Sequence, residues 1–492
     1  MNDKRALISY LLGKGIKIRP QALDYLMSYA QHKNYDSEEQ LDDIISDLGK
    51  FDVVDVDQLQ SVIQETPSSA IKESKEIVVI DVFKDLPKYI FNSNEKFVPA
   101  SPPSFLGAPL SKHMMYRERF AIARSRIKKH KTFNPSLNES AIPFSEVESL
   151  IGCNNEKIIL GMLTKIDGKT WYLEDFNGTV KLDIYDVEKN SGFFCEGCIV
   201  LAQGRHVDGV LYVSCIAQPP ACSIYADVDI FGGEYLIEQR KGTESLWTCQ
   251  WPDNCVIVAL SNVHLNDPRV MRLLDKLFAG YAAFSNILFV LMGNFSSEPQ
   301  ANPYNHKNLF TNLANLIGKY PNLQENAMWV FIPGPNDPGL GLFLPQQKLP
   351  NNLTEAFESL KHWKSSSNPT RILFCGKKLI FAKIDQLRTL QRNSAVEPNF
   401  DENANPDAHL AHTILKQGHL CPTLHTQVLP DYDHTLRIES QPDLICLADN
   451  TRYFNYSIDD SKVVNPGHFS RYSTFVAISG ISLKVQLCDI SE

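Results

Sequence analysis

The sequence predicts a multi-domain α+β protein, with a small all-α domain at the N-terminus, a five-stranded β-barrel and a layered α/β domain. Three observations predict it. At 492 residues the chain exceeds one ordinary hydrophobic core, and ~150 residues per domain gives about three units. The apolar periodicity changes twice, from helical spacing to short alternating strands and then to fully apolar runs separated by helical segments. Hydrophobic residues make up 43% and charged residues 21%, near the globular average, so most of the chain has the means to bury a core.

Residues 1–70 carry apolar positions at helical spacing (Ile8, Leu11, Leu12; Leu23, Leu26, Met27; Leu41, Ile44, Ile45, Leu48), and Ser37 with Gln40 makes a capping box. Residues 71–143 read as a linker, with TPSSAIKESK and FVPASPPSFLGAPL supplying Pro, Ser and Gly, and with room for short docked elements such as IVVIDVF. Inside it, 111–131 predicts an amphipathic basic helix with eight Lys or Arg against one acid, Glu118. Tyr116, Phe120, Ala123 and Ile127 share one stripe that suits packing, while Arg117, Arg119, Arg124, Arg126, Lys128 and Lys129 are candidates for weak phosphate contact.

Residues 144–222 turn to strands. Ile158–Ile166, Thr170–Glu174, Thr179–Ile184, Ile199–Gly204 and Val210–Ile216 are separated by Asp167-Gly168, Asn177-Gly178 and Asp208-Gly209, which suits an OB-fold. Residues 223–492 hold apolar runs at Cys255–Leu260, Ile287–Met292, Trp329–Ile332, Ile372–Phe374, Leu379–Phe381 and Leu444–Leu447, as strands covered on both faces require.

Charge and composition exclude some functions. A net charge of -9 supplies no broad positive field for a nucleic-acid backbone, so any DNA contact is local or made through partners. The eleven cysteines follow no secretory leader, which favours reduced thiols in the cytosol or nucleus. No apolar run approaches the ~20 residues that span a bilayer.

In open α/β sheets, working residues lie just after the carboxyl ends of the strands. Here those junctions read SNVHLND, GNFSSEP, PGPNDPG, AKID and ADNTR. In order and spacing they resemble the calcineurin-like metallophosphoesterases, which place D-x-H, G-D-x-x-D, G-N-H-D/E, a lone His and G-H-x-H there to hold two metal ions. Two ions a few ångströms apart need carboxylates and imidazoles to offset their repulsion. Against that pattern His264 and Asp337 remain, while Asn262, Asn294, Ser297, Pro335, Asn336, Ala382, Asp449 and Thr451 stand where ligands are expected. The resemblance implies an inactive layered α/β domain of this fold, with no metal and no cofactor.

FVLMGNFSS, VFIPGPNDPG, ILKQGHLCP, PDLICLAD and VNPGHF further resemble the B subunits of eukaryotic replicative DNA polymerases, and FAGY with LGMLTKIDGKTWYLEDFNGTVKLD is similar to the epsilon branch of that family. That resemblance implies a non-catalytic nuclear subunit in DNA replication. Its implied partners are the zinc-binding C-terminal domain of the polymerase epsilon catalytic subunit, the replicative helicase assembly through the N-terminal domain, other small polymerase subunits and, weakly or indirectly, DNA.

Three rivals compete. A live metal-dependent phosphodiesterase or nuclease would draw on His264, Asp267, Asp337, His419 and Asp449; but Asp267 suits an N-cap for a helix from Pro268, and His419 suits a turn. A zinc site at Cys195-Glu196-Gly197-Cys198 lacks a second tight pair, since Cys215 and Cys222 are too widely spaced. An OB-fold protein binding single-stranded DNA needs aromatic platforms in a basic groove, and Trp171, Tyr172 and Tyr212 are few.

Overall fold

The computed structural model describes residues 76–153, 155–188, 190–221, 247–250, 255–298, 303–339, 341–399, 405–480 and 482–490, together with positions 19, 22, 23 and 26. The expected all-α domain over 1–70, with its Ser37–Gln40 capping box, lies almost wholly outside the described residues. The chain divides into two compact units, Met1–Ser74 and Lys75–Glu492, and the second holds every element named below.

Strand β1 (Glu76–Asp81) is followed by the hairpin β2 (Tyr89–Phe91) and β3 (Phe97–Pro99), and then by helix α1 (Ser111–Lys129). Within the linker expected over 71–143, the short element allowed for at IVVIDVF does dock, because the apolar EIVVID segment pairs antiparallel with a strand nearly 300 residues later. Ile77, Val79 and Ile80 are fully buried there, so the segment supplies core that a free linker would expose to water.

Strands β4 (Glu156–Lys165), β5 (Trp171–Glu174), β6 (Thr179–Asp183), β7 (Ile199–Val207) and β8 (Val210–Ala217) close a barrel in the order β4-β5-β6-β8-β7. The tight turns expected from Asp-Gly pairs are present, with Gly168 at φ +73° and Gly209 at φ +81°. Alternate residues Leu163, Leu173, Val180, Leu182, Val200, Leu211 and Val213 fill the interior. At the Gln203/Gly204 bulge the β7–β8 register shifts, and a side chain on Gly204 would fall on the Tyr212 carbonyl oxygen.

The rest of the unit is a sandwich of two sheets between helices. Its elements are β9 (Trp247–Gln250), β10 (Val256–Ser261), α2 (Pro268–Tyr281), β11 (Ile287–Met292), α3 (Pro303–Ile317), β12 (Met328–Ile332), β13 (His362–Ser365), β14 (Thr370–Phe374), β15 (Lys377–Ala382), α4 (Leu387–Asn393), α5 (Pro406–Gln417), β16 (Leu444–Leu447), β17 (Phe454–Ile458), β18 (Ser461–Asn465), α6 (Phe469–Tyr472), β19 (Thr474–Ser479) and β20 (Lys484–Asp489). One sheet runs β17-β18-β16-β15-β14-β1-β9 and the other β13-β12-β11-β10-β19-β20. Pleating sends Ile257, Ala259, Leu288, Val290, Leu379 and Phe381 between the sheets, and Val258, Leu260, Phe289 and Phe331 outward against helices α2 and α3. Both faces are therefore covered, which explains why the central strands read as unbroken apolar runs.

Barrel and sandwich share one apolar core, because Ile380, Ala382, Leu410, Ile414, Ile445 and Leu447 pack in the same cluster as Leu163 and Val200. Polar groups of α5 fix the contact. The Gly192 amide donates to His409 Nδ1 (3.0 Å), the Phe193 amide to Thr413 Oγ1 (2.8 Å), and Gln417 exchanges two hydrogen bonds with the Ile199 backbone (2.9 and 2.8 Å). Cys195 and Cys198 are fully buried in this seam, and burial raises both thiols, that of Cys198 to about 12.

The two glycines separate steric from conformational cost. Replacing Gly204 by Ala should lower unfolding free energy by about 3 kcal/mol, since backbone opposes the new methyl. Gly209→Ala meets nothing within 4 Å and should cost only about 1 kcal/mol for its left-handed φ. Urea unfolding followed by circular dichroism measures both, and equal losses would contradict the packing assigned to the bulge.

Candidate functional site at the strand junctions

The junctions after β10, β11, β12, β15 and β16 meet at one end of the sandwich. Asn262 follows β10 at φ 55°, a left-handed conformation that Asn tolerates. Its amide N–H donates to the Met292 carbonyl (3.0 Å), and its side chain donates to Ser261 Oγ (3.0 Å). Asn294 Oδ1 accepts from the Asn336 amide (2.9 Å), and Ser297 Oγ accepts from Asn266 (2.8 Å). Pro335 and Asn336 are partly buried on the loop between.

Asp337 is buried and clasps two loops, accepting from the Phe295 amide (2.7 Å) and the Gly334 amide (2.8 Å). His306 on α3 lies 3.6 Å from it, fully buried, with neither ring nitrogen hydrogen-bonded. His264, half-buried, stands edge-on to His468 with ring centroids 5.1 Å apart. Burial lowers the pKa of both imidazoles, that of His468 to about 4 with help from the positive field of His264 and Lys383.

On the second sheet, Ala382 does not face this cluster. Its methyl packs with Ile380 in the core against the helices, so the period of two turns the next residue, Lys383, the other way. Lys383 is 2% exposed, and its ammonium donates to the Ala448 carbonyl (3.0 Å) and Asn450 Oδ1 (2.8 Å). Burial lowers it to about 8, against the pull of Asp449, Asp385 and Asp337. Asp449 Oδ2 accepts from the Gln386 and Leu387 amides (2.7 and 3.0 Å) at the start of α4, while burial, with Asp385, raises its pKa. Thr451 Oγ1 accepts from Asn465 (3.0 Å). Among the described residues, no group of three or more His, Cys, Asp and Glu is placed to hold a metal ion.

Two family models match the chain. One is the B-subunit family of DNA polymerases alpha and epsilon, over residues 257–456; the other is the OB-fold domain of DNA polymerase epsilon subunit 2-like proteins, over 109–220. Human DNA polymerase epsilon subunit 2 is 31% identical, over 98% of this chain and 95% of the relative. The DNA polymerase epsilon B subunit of Arabidopsis thaliana is 30% identical over 96% of each. The chain belongs to the DNA polymerase epsilon subunit 2 family.

In this epsilon subunit 2 family member several cations of the basic helix are engaged by the protein itself. Arg119 is buried and donates from Nε and Nη2 to Asp433 Oδ1 (2.9 and 2.5 Å), so the expectation that it meets phosphate is corrected. Arg124 pairs with Glu146, Arg126 donates to the Lys416 carbonyl (2.7 Å), Lys128 pairs with Glu95 (3.1 Å), and Lys129 adds to the positive field at Glu95. Arg117 is exposed and lies 4.9 Å over the Phe176 ring. A count of charges could not separate these fates, because helical position alone decides which cations turn inward.

Asp433 is the hub. Arg437 Nε donates to its second oxygen (2.9 Å), and His419 Nε2 lies 3.1 Å from its first. Burial would raise this carboxyl, but Arg119, Arg437 and His419 hold it well below the usual range. Burial also pushes His419 down to about 4, and its Nδ1 accepts from the Cys421 amide (2.9 Å). Asp267 caps α2 through the Arg269 amide (2.8 Å).

Asp433→Asn strands two buried guanidiniums and should cost about 3–5 kcal/mol, whereas Arg117→Ala should stay within about 0.5 kcal/mol. The sign with pH follows. Asp433 has a depressed folded pKa, so its contribution is present above the unfolded value and is lost as pH falls toward the folded one. His419 refuses a proton that the unfolded chain accepts, which lowers stability further from about 6.5 down to about 4. Urea midpoints at pH 7 and pH 4 read the His419 loss, and midpoints at pH 4 and about pH 2 read that of Asp433, so the drop over the lower step should be smaller in Asp433→Asn than in the wild type.

Proposed function

We propose that this chain, an accessory subunit of DNA polymerase epsilon, serves in that complex as a catalytically silent docking body whose strand junctions have exchanged a metal pair for a buried lysine. The observation that carries the reading is Lys383, a fully buried ammonium whose field reaches Asp337, Asp449, His264 and His468. One fixed positive charge there opposes entry of a divalent cation. The carboxylates that remain are held by backbone N–H donors, and Asn262, Asn294, Ser297 and Thr451 make hydrogen bonds within the loops. Pro335 offers no side-chain ligand atom, and Ala382 faces the helices. These groups do not fit a two-metal site, so phosphodiester hydrolysis has no water-activating centre here.

In this reading, the barrel (144–222) and the sandwich (223–492, completed by β1) jointly grip the zinc-binding C-terminal domain of the catalytic subunit, which their shared core suits. The helical domain at 1–70 meets the replicative helicase assembly. Other small polymerase subunits join the same nuclear complex, and DNA is met weakly or indirectly. No described helix is long and apolar enough to cross a membrane.

The purified chain should carry far less than one equivalent of manganese, iron or zinc by plasma mass spectrometry, with no manganese-dependent phosphodiesterase activity. Stoichiometric metal would overturn the silent reading. Capture by the catalytic subunit's C-terminal region should survive removal of residues 1–70; its loss would contradict the division of roles.

Lys383→Met gives a separate readout. The folded lysine titrates near 8 and the unfolded one near 10.5, so the unfolded chain binds more protons between them and stability rises with pH across that window. Wild type should therefore gain on Lys383→Met by up to about 3 kcal/mol from pH 8 to pH 10.5. A constant difference would mean that the ammonium is solvated.

A further inference from the structure

At the rim of the strand junctions, outside the positions where metal ligands are expected, two arginines share one aromatic ring. The Arg452 guanidinium lies 5.7 Å from the centre of the Tyr472 ring, and that of Arg471 lies 5.4 Å from it. Both arginines are exposed, and neither guanidinium has an ion pair or a hydrogen bond among the described residues.

Buried groups hold the pair in place. Arg452 lies on the connection from β16 to β17. Asn465, fully buried at the end of β18, donates to Thr451 Oγ1 and to the Arg452 carbonyl (both 3.0 Å), and its Oδ1 accepts from the Gly467 amide (3.1 Å). Arg471 and Tyr472 belong to α6, whose Ser470 Oγ donates to the Asn262 carbonyl (2.5 Å) and accepts from the His264 amide (2.9 Å). Both backbone segments are therefore fixed, and a guanidinium set against a ring face loses less freedom when a ligand arrives.

The charge at this rim has one sign. His468 stands at the start of α6, and the charges that act most on its ring, those of His264, Lys383 and Arg471, are all positive. Nearby acids are committed elsewhere. Asp267 accepts from the Arg269 amide (2.8 Å), Asp385 from Asn450 (2.8 Å), and Asp337 and Asp449 from backbone N–H groups. Asp489, exposed opposite Thr474 on β20, forms no ion pair with either arginine.

Two guanidinium forks with no acid between them suit an anion that offers several acceptor oxygens. A phosphomonoester supplies three, with a charge of about -1.5 to -2 at neutral pH, whereas a carboxylate supplies two oxygens and occupies one fork. A nucleic-acid backbone fits less well, because its affinity comes from a row of phosphate contacts and the net charge of -9 gives no wider field to extend this pair.

We propose that the Arg452–Tyr472–Arg471 clamp binds a phosphomonoester, carried as a phosphorylated serine or threonine by a partner protein. Each guanidinium donates to phosphate oxygens, and the Tyr472 ring keeps both at the rim. No metal takes part, so the site stands apart from the reading of the junctions as silent.

The test uses the full-length chain in EDTA and a short fluorescein-labelled peptide of Gly, Ala and Ser with one phosphoserine. Fluorescence anisotropy should show saturable binding, about tenfold or more tighter than that of the unphosphorylated peptide, with displacement by inorganic phosphate. Arg452→Glu and Arg471→Glu should each weaken it about tenfold or more, and Arg471→Lys, which keeps the charge but loses the fork, should weaken it several-fold. Lys484→Glu, an exposed change at the far end of β20, should leave binding unchanged. Both arginines are exposed, so thermal melts of their variants should match wild type. The proposal is overturned by no saturable binding, by equal binding of the unphosphorylated peptide, by indifference to both glutamate variants, or by binding that appears only when manganese replaces EDTA. Oligothymidylate binding that both glutamate variants abolish, without binding of the phosphopeptide, would overturn it in favour of a nucleic-acid ligand.

Discussion

The second unit of this chain depends on one buried carboxylate. Asp433 gathers Arg119 from α1, Arg437 from the extended segment after its own turn, and His419 from just beyond α5, all within 3.1 Å. Arg119 also donates to the Cys421 carbonyl (3.2 Å), and Arg437 reaches Glu118 on α1. Apolar burial holds the barrel against the sandwich with more area, but it is non-directional and would accept a rotated or shifted fit. A charge cluster in low dielectric accepts only the arrangement that satisfies every donor, because a missing partner leaves an uncompensated ion. The hub therefore specifies geometry more than it adds stability. It also explains why α1, rich in cations, binds its own protein.

The strand junctions obey the same electrostatics. Several carboxylates gathered around two divalent ions are stable only while the ions are there; without them like charges crowd in a dry site. Here the junctions hold two buried carboxylates, Asp337 and Asp449, each turned to backbone N–H groups, and one ammonium, Lys383, within electrostatic range of both. That balance needs no bound ion. The loops are then held by hydrogen bonds internal to the protein, and the sandwich core of Leu288, Val290, Leu379 and Phe381 lies behind them, unaffected by what the junction residues are.

How much of this could be read beforehand follows from which signals are local. The five barrel strands were legible because each is bounded by turn chemistry, with Gly168 and Gly209 in left-handed conformations that the Asp-Gly pairs announce. The central parallel strands were legible because both faces are buried. Strands β17, β18, β19 and β20 were not: KVQLCD and SKVVN mix polar and apolar residues at edge or near-edge positions, and their pairing partners are set by the tertiary fold. Strand β1 was legible as an apolar segment able to dock, but its pairing with β14 and β9 is set by the tertiary fold. After β15 the period of two sets Ala382 in the core and turns Lys383 toward the junctions, and no periodicity at a strand end announces a buried lysine.

Arg119 and Arg117 show why the remainder needs coordinates. They are two residues apart on one helix with the same chemistry, and a rotation of about 200° puts one against Asp433 and the other over Phe176 in water. Counting positive charge on this helix overstates what it can offer a phosphate backbone, since Arg119, Arg124 and Lys128 already face acids of the same chain. What matters for recognition is the residue left after internal pairing. On this helix that residue includes Arg117, exposed over the Phe176 ring, while its neighbours Arg119 and Arg124 are spent on acids of the same chain.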